Sequence, residues 1–240
     1  MEKNKQAKRI QTSILNPLEK KVLTRLADKM PEWVTSDMLT FVGFFGALVI
    51  ATGYALSNIN LNWLWLASLG FVINWFGDSL DGTLARVRGT QRKTYGFYID
   101  HNIDCINETI MFMGVGLSPL LNMTFAMSAL IAYLLLSVYV YINCHLKGEM
   151  LLTYGGLGPT EFRLLIIIVN TCFLYIPQLG LWKHHITLFH NDFMVGIFDY
   201  VAVIVTAILL GMYIVSLIKD AKYFSSIDPL PEFHKEKKDK

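Results

Sequence analysis

Charge is missing from three long stretches of this 240-residue chain. No Asp, Glu, Lys or Arg occurs in residues 38–77, 111–145 or 164–182. Charged residues make up 17% of the chain and apolar residues 53%, whereas soluble domains have about 25% and about 45–50%. A membrane-spanning helix needs about 20 apolar residues, and the three runs are about that long or longer. The composition therefore excludes a soluble globular or disordered protein and predicts an integral membrane protein.

Cysteine is scarce as well. Cys105, Cys144 and Cys172 lie far apart within apolar stretches. Their spacing fits neither a disulfide framework nor a cysteine metal site, so the disulfide-rich secreted class is excluded. The net charge is only +2, and no nucleic-acid partner is predicted.

The apolar pattern predicts six transmembrane helices. They cover roughly residues 38–57, 63–86, 94–117, 121–145, 160–180 and 194–218. With these spans, 20 of the 21 Lys and Arg residues fall on one side of the membrane, and Lys183 falls on the other. Because positively charged loops stay in the cytoplasm, a multi-pass protein with both termini cytoplasmic is predicted.

The segment before the first span has its own pattern. Its apolar residues recur every three or four positions among charged ones: Leu18, Val22, Leu26, Met30 and Trp33. This pattern predicts a basic amphipathic helix at the membrane interface, although a cytoplasmic helix packed on the bundle has the same pattern. The predicted fold is therefore an all-α, integral membrane six-helix bundle with an N-terminal interfacial amphipathic helix. Its parts are a cytoplasmic segment with the amphipathic helix (1–36), a six-span transmembrane domain (37–219) and a disordered cytoplasmic tail (220–240).

Four carboxylates occur where apolar residues are expected. Asp78 and Asp81 lie near the end of the second span, and Asp100 and Asp104 near the start of the third. Spacings of three and four place each pair on one face of a helix. The short loop between the spans predicts antiparallel neighbours, so the four carboxylates should converge at the cytoplasmic membrane face.

Such a cluster needs a compensating charge, because an ionised carboxylate costs about 2.5–3.5 kcal/mol at the centre of a membrane helix. Oxygen ligands suit hard cations such as Mg²⁺, Mn²⁺ or Ca²⁺, and four carboxylates are enough for two ions. Exposed carboxylates that balance the adjacent basic loop are the alternative. Gly82 and Gly96 remove bulk beside the carboxylates, which predicts a slot for a ligand. Close helix packing on small residues is the alternative explanation for them.

These residues resemble the CDP-alcohol phosphotransferase (CDP-alcohol phosphatidyltransferase) family. Its motif is Asp-x2-Asp-Gly-x2-Ala-Arg, eight or nine residues, then Gly-x3-Asp-x3-Asp. The sequence matches every fixed position, with Asp78, Asp81, Gly82, Ala85, Arg86, Gly96, Asp100 and Asp104. The resemblance implies a membrane enzyme of phospholipid biosynthesis. Such an enzyme transfers a phosphatidyl or phospho-alcohol group from a CDP-linked donor to an acceptor hydroxyl and releases CMP.

The resemblance also implies roles for these residues. Asp78, Asp81 and Asp100 would hold two Mg²⁺ or Mn²⁺ ions and the donor pyrophosphate, and Asp104 would be a metal ligand or the base. The CDP pocket would also include Gly82, Ala85, Arg86 and Gly96. Thr40 joins this pocket through a weaker match, although a helix N-cap at Thr35 or Ser36 explains the segment equally well. His101 is the second candidate base, because the choline and ethanolamine branch carries a histidine at this position.

The acceptor is less constrained by the sequence. A polyol, an amino alcohol and diacylglycerol all remain open, along with membrane lipids as partners. Candidate cations for an anionic acceptor are Arg88, Arg92, Lys147 and Arg163. Glu161 is a candidate for an amine headgroup or, alternatively, for the helix start that Gly158 and Pro159 predict.

Two further questions stay open from the sequence alone. A homodimer is one, since many membrane bundles with small-residue faces dimerise. The other is function, because a membrane cation transporter could use the same carboxylates as an ion site. Transporters, however, place such sites near the midplane of repeated halves, and this sequence has no such repeat.

Overall fold

The computed structural model describes residues 8–10, 13–151, 158–176, 178–188 and 191–230. These residues are mostly helical, which confirms the all-α class. The helices are α1 (Asn16–Lys29), α2 (Ser36–Leu56), α3 (Leu64–Val87), α4 (Lys93–Gly116), α5 (Met123–Lys147), α6 (Pro159–Tyr175), α7 (Gln178–Leu181) and α8 (Ile197–Ile227). Two short sheets accompany them. Strand β1 (Lys8–Ile10) pairs in parallel with β2 (Glu149–Leu151), and β3 (Lys183–Leu188) forms an antiparallel hairpin with β4 (Asn191–Gly196).

A helix occupies each of the six predicted spans. By length and composition, α2, α5 and α8 are long and apolar enough to cross a membrane. Helices α3 and α4 are less apolar because they carry the aspartates, and α6 has 17 residues. The six-span arrangement therefore stays a prediction, supported by the positions of the helices.

The helix ends differ from the prediction in the last third of the chain. Helix α6 ends at Tyr175, ahead of Pro177 in the sequence, because the residue before a proline disfavours helical geometry. Helix α8 begins at Ile197, after a hairpin that the sequence did not predict, and continues to Ile227. It therefore includes residues 220–227, which belong to the predicted disordered tail. Residues 231–240 lie outside the described residues.

Helix α1 packs on the bundle with part of its apolar face. Leu23 and Ala27 are buried against a cluster that includes Leu80 and Leu84 of α3. Of the predicted apolar stripe, Leu26 and Met30 pack against this cluster, and Leu18, Val22 and Trp33 are exposed. The buried part agrees with the alternative of a helix packed on the bundle. The exposed part is the face that an interfacial helix would turn to lipid, and that placement stays a prediction.

Helices α2 and α3 are in contact along a line of glycines. A Cβ on Gly77 would meet the backbone of Gly43, and a Cβ on Gly46 would meet the backbone of Asn74. Small residues let helix backbones approach closely in membranes. This glycine seam fixes the position of α3, and therefore of Asp78, relative to α2.

Helix α8 is attached to α5 by polar contacts at both ends. Near its start, the buried Asp199 accepts a hydrogen bond at 2.8 Å from the backbone N–H of Asn122, the residue before α5. Near its other end, Asp220 pairs with Lys147 at 2.7 Å and accepts a hydrogen bond from Tyr139 at 2.5 Å. Because charged groups in apolar surroundings are costly unless paired, these contacts fix how α8 aligns with α5.

Candidate active site

The motif lies on two helices that share a neighbour. Along their described lengths, α3 and α4 each pack against α2 rather than tightly against each other. Helices α3 and α4 are therefore adjacent at the ends that carry the aspartates, and α2 is the main packing partner of both. The loop that joins α3 to α4 still brings the acidic end of one next to the acidic start of the other.

Three of the four aspartates meet. Asp78, Asp100 and Asp104 each offer a carboxylate oxygen, and these three oxygens lie within 4.8 Å of one another. All three side chains are partly buried. Carboxylate oxygens at this separation can share a divalent cation, which also offsets their mutual repulsion. The donor set therefore fits Mg²⁺ or Mn²⁺.

Asp81 does not join this group of three. Its carboxylate accepts a hydrogen bond from the Thr40 hydroxyl on α2 at 2.6 Å and another from the backbone N–H of Gly82. A step of three residues turns a helix by about 300°, so the side chains of Asp78 and Asp81 diverge by about 60°. The structure thus brings three of the four carboxylates within 4.8 Å of one another, with Asp81 bonded to α2, and a metal site that includes Asp81 stays a prediction. Thr40 reaches the motif through this contact, as its assignment to the donor pocket requires. Thr35 caps α2, since its hydroxyl accepts from the Met38 N–H at 3.2 Å.

Arg163 brings a positive charge to the cluster from α6. Its guanidinium donates to the Asp78 carboxylate at 2.5 Å and to the Asn74 side-chain oxygen at 3.1 Å. Asn74 is buried, and its amide nitrogen donates to the carbonyl oxygen of Gly43 at 2.9 Å. A chain of hydrogen bonds therefore runs from α2 through α3 to α6 and holds the Asp78 carboxylate in place.

The two glycines of the motif border open space. A Cβ on Gly96 would meet no atom within 4 Å, and a Cβ on Gly82 would meet only the side chain of Arg86, at 3.4 Å or more. The packed glycines of the α2–α3 seam have backbone atoms at the corresponding place. Helix packing among the described residues therefore does not explain Gly82 or Gly96, and the slot beside the carboxylates stays a prediction. Ala85 is partly buried and Arg86 exposed on the same helix, with Arg86 donating to the Thr83 hydroxyl at 2.8 Å.

His101 lies on another side of α4. Its ring is buried, with centroids 4.0 Å from the Phe97 ring and 4.7 Å from the Tyr141 ring. Its Nδ1 donates to the Phe97 carbonyl oxygen at 2.8 Å. The Asp100 carboxylate is 3.8 Å from that nitrogen. Asp104, in contrast, is one of the three clustered aspartates.

Comparison with known proteins identifies this arrangement. The family model for CDP-alcohol phosphatidyltransferases matches residues 33–208, a range that contains the whole motif and Arg163. The chain belongs to the CDP-alcohol phosphatidyltransferase family. It is therefore a membrane transferase of phospholipid biosynthesis, with a CDP-linked alcohol as donor and a hydroxyl compound as acceptor.

Two relatives align with more than two thirds of this chain. A "Phosphatidylinositol phosphate synthase" from Cutibacterium acnes is 27% identical over 171 residues, which is 68% of this chain and 79% of the relative. An "Archaetidylinositol phosphate synthase" from Pyrococcus horikoshii is 28% identical over 167 residues, which is 69% of this chain and 81% of the relative.

The four candidate cations of the transferase have different positions. Arg88 donates to backbone carbonyl oxygens around the end of α1, including that of Met30 at 2.9 Å. Arg92 lies over the Tyr95 ring, and Lys147 pairs with Asp220. Of the four, Arg163 is the one bonded to a motif aspartate in the described part of the chain.

Glu161 belongs to the start of α6. Its carboxylate accepts hydrogen bonds from the backbone N–H of Gly158 at 2.9 Å and of Leu15 at 2.8 Å. Helix α6 begins at Pro159 with Gly158 as its N-cap, as the sequence predicts. The geometry favours the helix-start explanation of Glu161 over recognition of an amine headgroup.

Two further residues lie beside the three carboxylates: Arg163, which contacts Asp78, and Glu108, one turn beyond Asp104 on α4. Arg163 was considered only as a contact for the acceptor, and its bond to Asp78 depends on how α6 packs, which spacing does not reveal. Glu108 follows Asp104 by four residues, and its Oε2 is buried without a hydrogen-bond partner among the described residues. The same four-residue step that links Asp100 to Asp104 could have indicated it.

Proposed function

We propose that the protein transfers a phosphatidyl or phospho-alcohol group from a CDP-linked donor to an acceptor hydroxyl at the Asp78–Asp100–Asp104 cluster, and releases CMP. The observation that supports the proposal is the meeting of these three carboxylates within 4.8 Å, at the motif positions of a family whose model matches the chain. An acidic cluster of this kind serves to bind phosphate groups through divalent cations.

In this proposal, Asp78, Asp100 and Asp104 hold Mg²⁺ or Mn²⁺, with Asp81 completing a two-ion site. When bound, these ions neutralise charge on the pyrophosphate and on the departing CMP. The chain itself positions the carboxylates. Arg163 and Asn74 hold Asp78, and Thr40 holds Asp81.

The chemical step is an attack by the acceptor oxygen on the donor phosphorus that carries the lipid or alcohol. The bond between this phosphorus and the bridging oxygen breaks, and CMP leaves with that oxygen. The acceptor hydroxyl must lose its proton as the new P–O bond forms, and Asp104 is the group that takes it. General bases of this kind typically contribute about 10²–10⁴-fold to the rate.

The donor pocket is built from the open side of the motif. Gly82 and Gly96 leave room for the pyrophosphate and the cytidine, because a Cβ at either position meets open space or a flexible side chain. Ala85 and Arg86 border the same face, and Thr40 approaches it from α2. A larger side chain at either glycine would occupy the space assigned to the donor.

For the substrates, the relatives supply the first candidates to test. Both are named as synthases of inositol phosphate lipids, so CDP-diacylglycerol is the first donor and inositol phosphate the first acceptor. Serine, glycerol phosphate and inositol follow as acceptors, and then CDP-choline and CDP-ethanolamine with diacylglycerol. The cytoplasmic face is the proposed location of the site, in a six-span protein with both termini inside, and a homodimer is the proposed assembly.

The test is CMP release by the purified protein in phospholipid vesicles, measured for each donor and acceptor with Mg²⁺, Mn²⁺ or a chelator. We expect release with at least one pair, loss of release with the chelator, and recovery when the metal is returned. Asp78→Asn should be inactive. Asp28→Asn is the matched control, because Asp28 is an exposed carboxylate on α1. No CMP release from any donor, in protein that binds Mn²⁺, would contradict the proposal.

A further inference from the structure

Glu19, on α1, joins two helices of the site through one oxygen atom. Its Oε1 accepts a hydrogen bond from the indole Nε1 of Trp75 on α3 at 2.8 Å. The same oxygen accepts a second hydrogen bond from the hydroxyl of Thr160 on α6 at 2.7 Å. Because both donors bond to the same carboxylate oxygen, they lie within a few ångströms of each other. Glu19 therefore fixes the separation of α3 and α6 at Trp75 and Thr160.

A second connection joins the same helix pair within one turn of the first. Trp75 precedes Asp78 by three residues, and Thr160 precedes Arg163 by three. Residues three apart are neighbours on a helix surface. The ion pair between Arg163 and Asp78 is therefore the adjacent connection between the same two helices. The ion pair holds Asp78, a residue of the site. The Glu19 bridge keeps the two helices at the distance at which this ion pair forms.

Glu19 can do this because α1 is itself held in place. The helix buries Leu23 and Ala27 in a cluster with α3 residues. Just before α1, the backbone N–H of Leu15 donates to Glu161 in the first turn of α6. Glu19 is half-buried between these attachments. Its carboxylate is thus a fixed bridge, in contrast to the exposed acidic side chain of Asp28 on the same helix.

We propose that Glu19 is a positioning residue: it sets α6 against α3 so that Arg163 meets and orients the Asp78 carboxylate. This assignment rests on the proposed function, because orienting Asp78 matters only if Asp78 serves the transfer. Glu19 lies outside residues 33–208, which the family model matches, and contacts neither donor nor acceptor in the proposal. Its effect should therefore appear in turnover more than in substrate binding.

The first test compares three variants on α1. Glu19→Ala removes the acceptor for both donors, whereas Glu19→Gln keeps a side-chain oxygen that can accept from both Trp75 and Thr160. We expect kcat to fall at least tenfold in Glu19→Ala, since small misplacements of a site residue can cost up to about 10²-fold. The KM for the CDP donor should change little. Glu19→Gln should stay within about twofold of the wild type, as should the control, Asp28→Ala. Equal rates in Glu19→Ala and the wild type would overturn the assignment.

The second test asks whether Glu19 acts through Arg163. In an Arg163→Gln background, adding Glu19→Ala should cause no further loss of kcat, because the contact it supports is already gone. Losses that multiply instead would mean that the two residues act independently, which would overturn the proposal.

A structural measurement separates this proposal from the proposed function. Hydrogen–deuterium exchange of peptides covering residues 158–165 should be faster in Glu19→Ala than in the wild type, and unchanged in Asp28→Ala. Unchanged exchange in Glu19→Ala would contradict the positioning role, whatever the activity. If the wild type releases no CMP from any CDP donor, the proposed function fails, while the exchange result still decides whether Glu19 positions α6.

Discussion

The aspartates of the motif differ in their partners although they share one sequence pattern. Asp78, Asp100 and Asp104 face one another, whereas Asp81 is bonded to Thr40. Substitution of an aspartate in the first group should therefore weaken metal binding more than substitution of Asp81. We expect Asp78→Asn and Asp100→Asn each to slow transfer more than ~10²-fold and to weaken Mn²⁺ binding. Free Mn²⁺ measured by electron paramagnetic resonance checks the second expectation. Wild-type Mn²⁺ affinity in both variants would contradict the metal assignment.

The motif glycines should tolerate bulk without loss of folding. Because nothing packs on Gly96, and only a flexible arginine is near Gly82, a leucine at either position should enter the donor pocket. We expect Gly82→Leu and Gly96→Leu to weaken binding of the CDP donor at least tenfold and to keep most Mn²⁺ binding. Equilibrium binding of a labelled CDP donor measures the effect. If both variants bind the donor as tightly as the wild type, the glycines do not line the donor pocket, and the alternative of helix packing is favoured.

The base can be assigned by comparing two substitutions on α4. Asp104 is one of the three clustered aspartates, whereas His101 is buried between Phe97 and Tyr141. We expect Asp104→Asn to bind the CDP donor yet transfer more than ~10²-fold slower, and His101→Gln to lose much less. Single-turnover rates with pre-bound donor make the comparison. The reverse order would assign the base to His101 and favour the choline and ethanolamine type.

The sequence was sufficient for the identity of these residues but not for their partners. A spacing of four on α4 correctly predicted that Asp100 and Asp104 share a face, because helix geometry alone determines it. The separation of Asp81 from Asp78, and the bonds of Arg163 and Glu19, depend on contacts between helices far apart in the sequence. Periodicity carries no information on such contacts, so only the structure could assign them.

At the level of the helices, the close contact between α2 and α3 requires glycine at the contact positions, because a larger side chain would clash with the facing backbone. A Cβ on Gly77 would meet backbone atoms of α2, whereas a Cβ on Gly211 of α8 would meet nothing within 4 Å. We expect Gly77→Ala to destabilise the protein by roughly 1–3 kcal/mol, the usual cost of overpacking, and to lower its melting temperature in detergent. Gly211→Ala is the control and should melt like the wild type. Equal melting of both variants would mean that the helices can move apart at no cost.

The helices were easier to predict than the places where they end. All six apolar segments were assigned to helices, and α3 and α4 differ from the predicted spans by one residue at each end. The hairpin after α6 was not foreseen, because β3 and the first half of β4 lie in the polar segment that the apolar pattern leaves as a loop between the fifth and sixth predicted spans. The extension of α8 to Ile227 was missed because the charges of Lys219, Asp220 and Lys222 end the apolar pattern without ending the helix.

For the molecule as a whole, the distribution of charge predicts which ends face the cytoplasm. Lys183 begins the β3–β4 hairpin, and Lys222 lies near the end of α8. In a variant whose three native cysteines are replaced by alanine, we expect Lys183→Cys to react with a membrane-impermeant maleimide in intact cells. Lys222→Cys should react only after the membrane is opened. Labelling of both positions in intact cells would contradict the six-span topology.

The two attachments of α8 to α5 also provide a measure of depth in the membrane. Asp199 and Asp220 are 21 residues apart on one continuous helix, which corresponds to about 31 Å along its axis. The hydrocarbon core of a typical bilayer is about 30 Å thick. The six-span prediction therefore places the two acidic residues at the two surfaces of the hydrocarbon layer, and the apolar residues between them in its interior. Since both acids are bonded to α5 or the residue before it, a bilayer much thinner or thicker than this interval cannot be matched by sliding α8 alone. The protein has to tilt α5 and α8 together, or the lipids have to adjust their thickness around it.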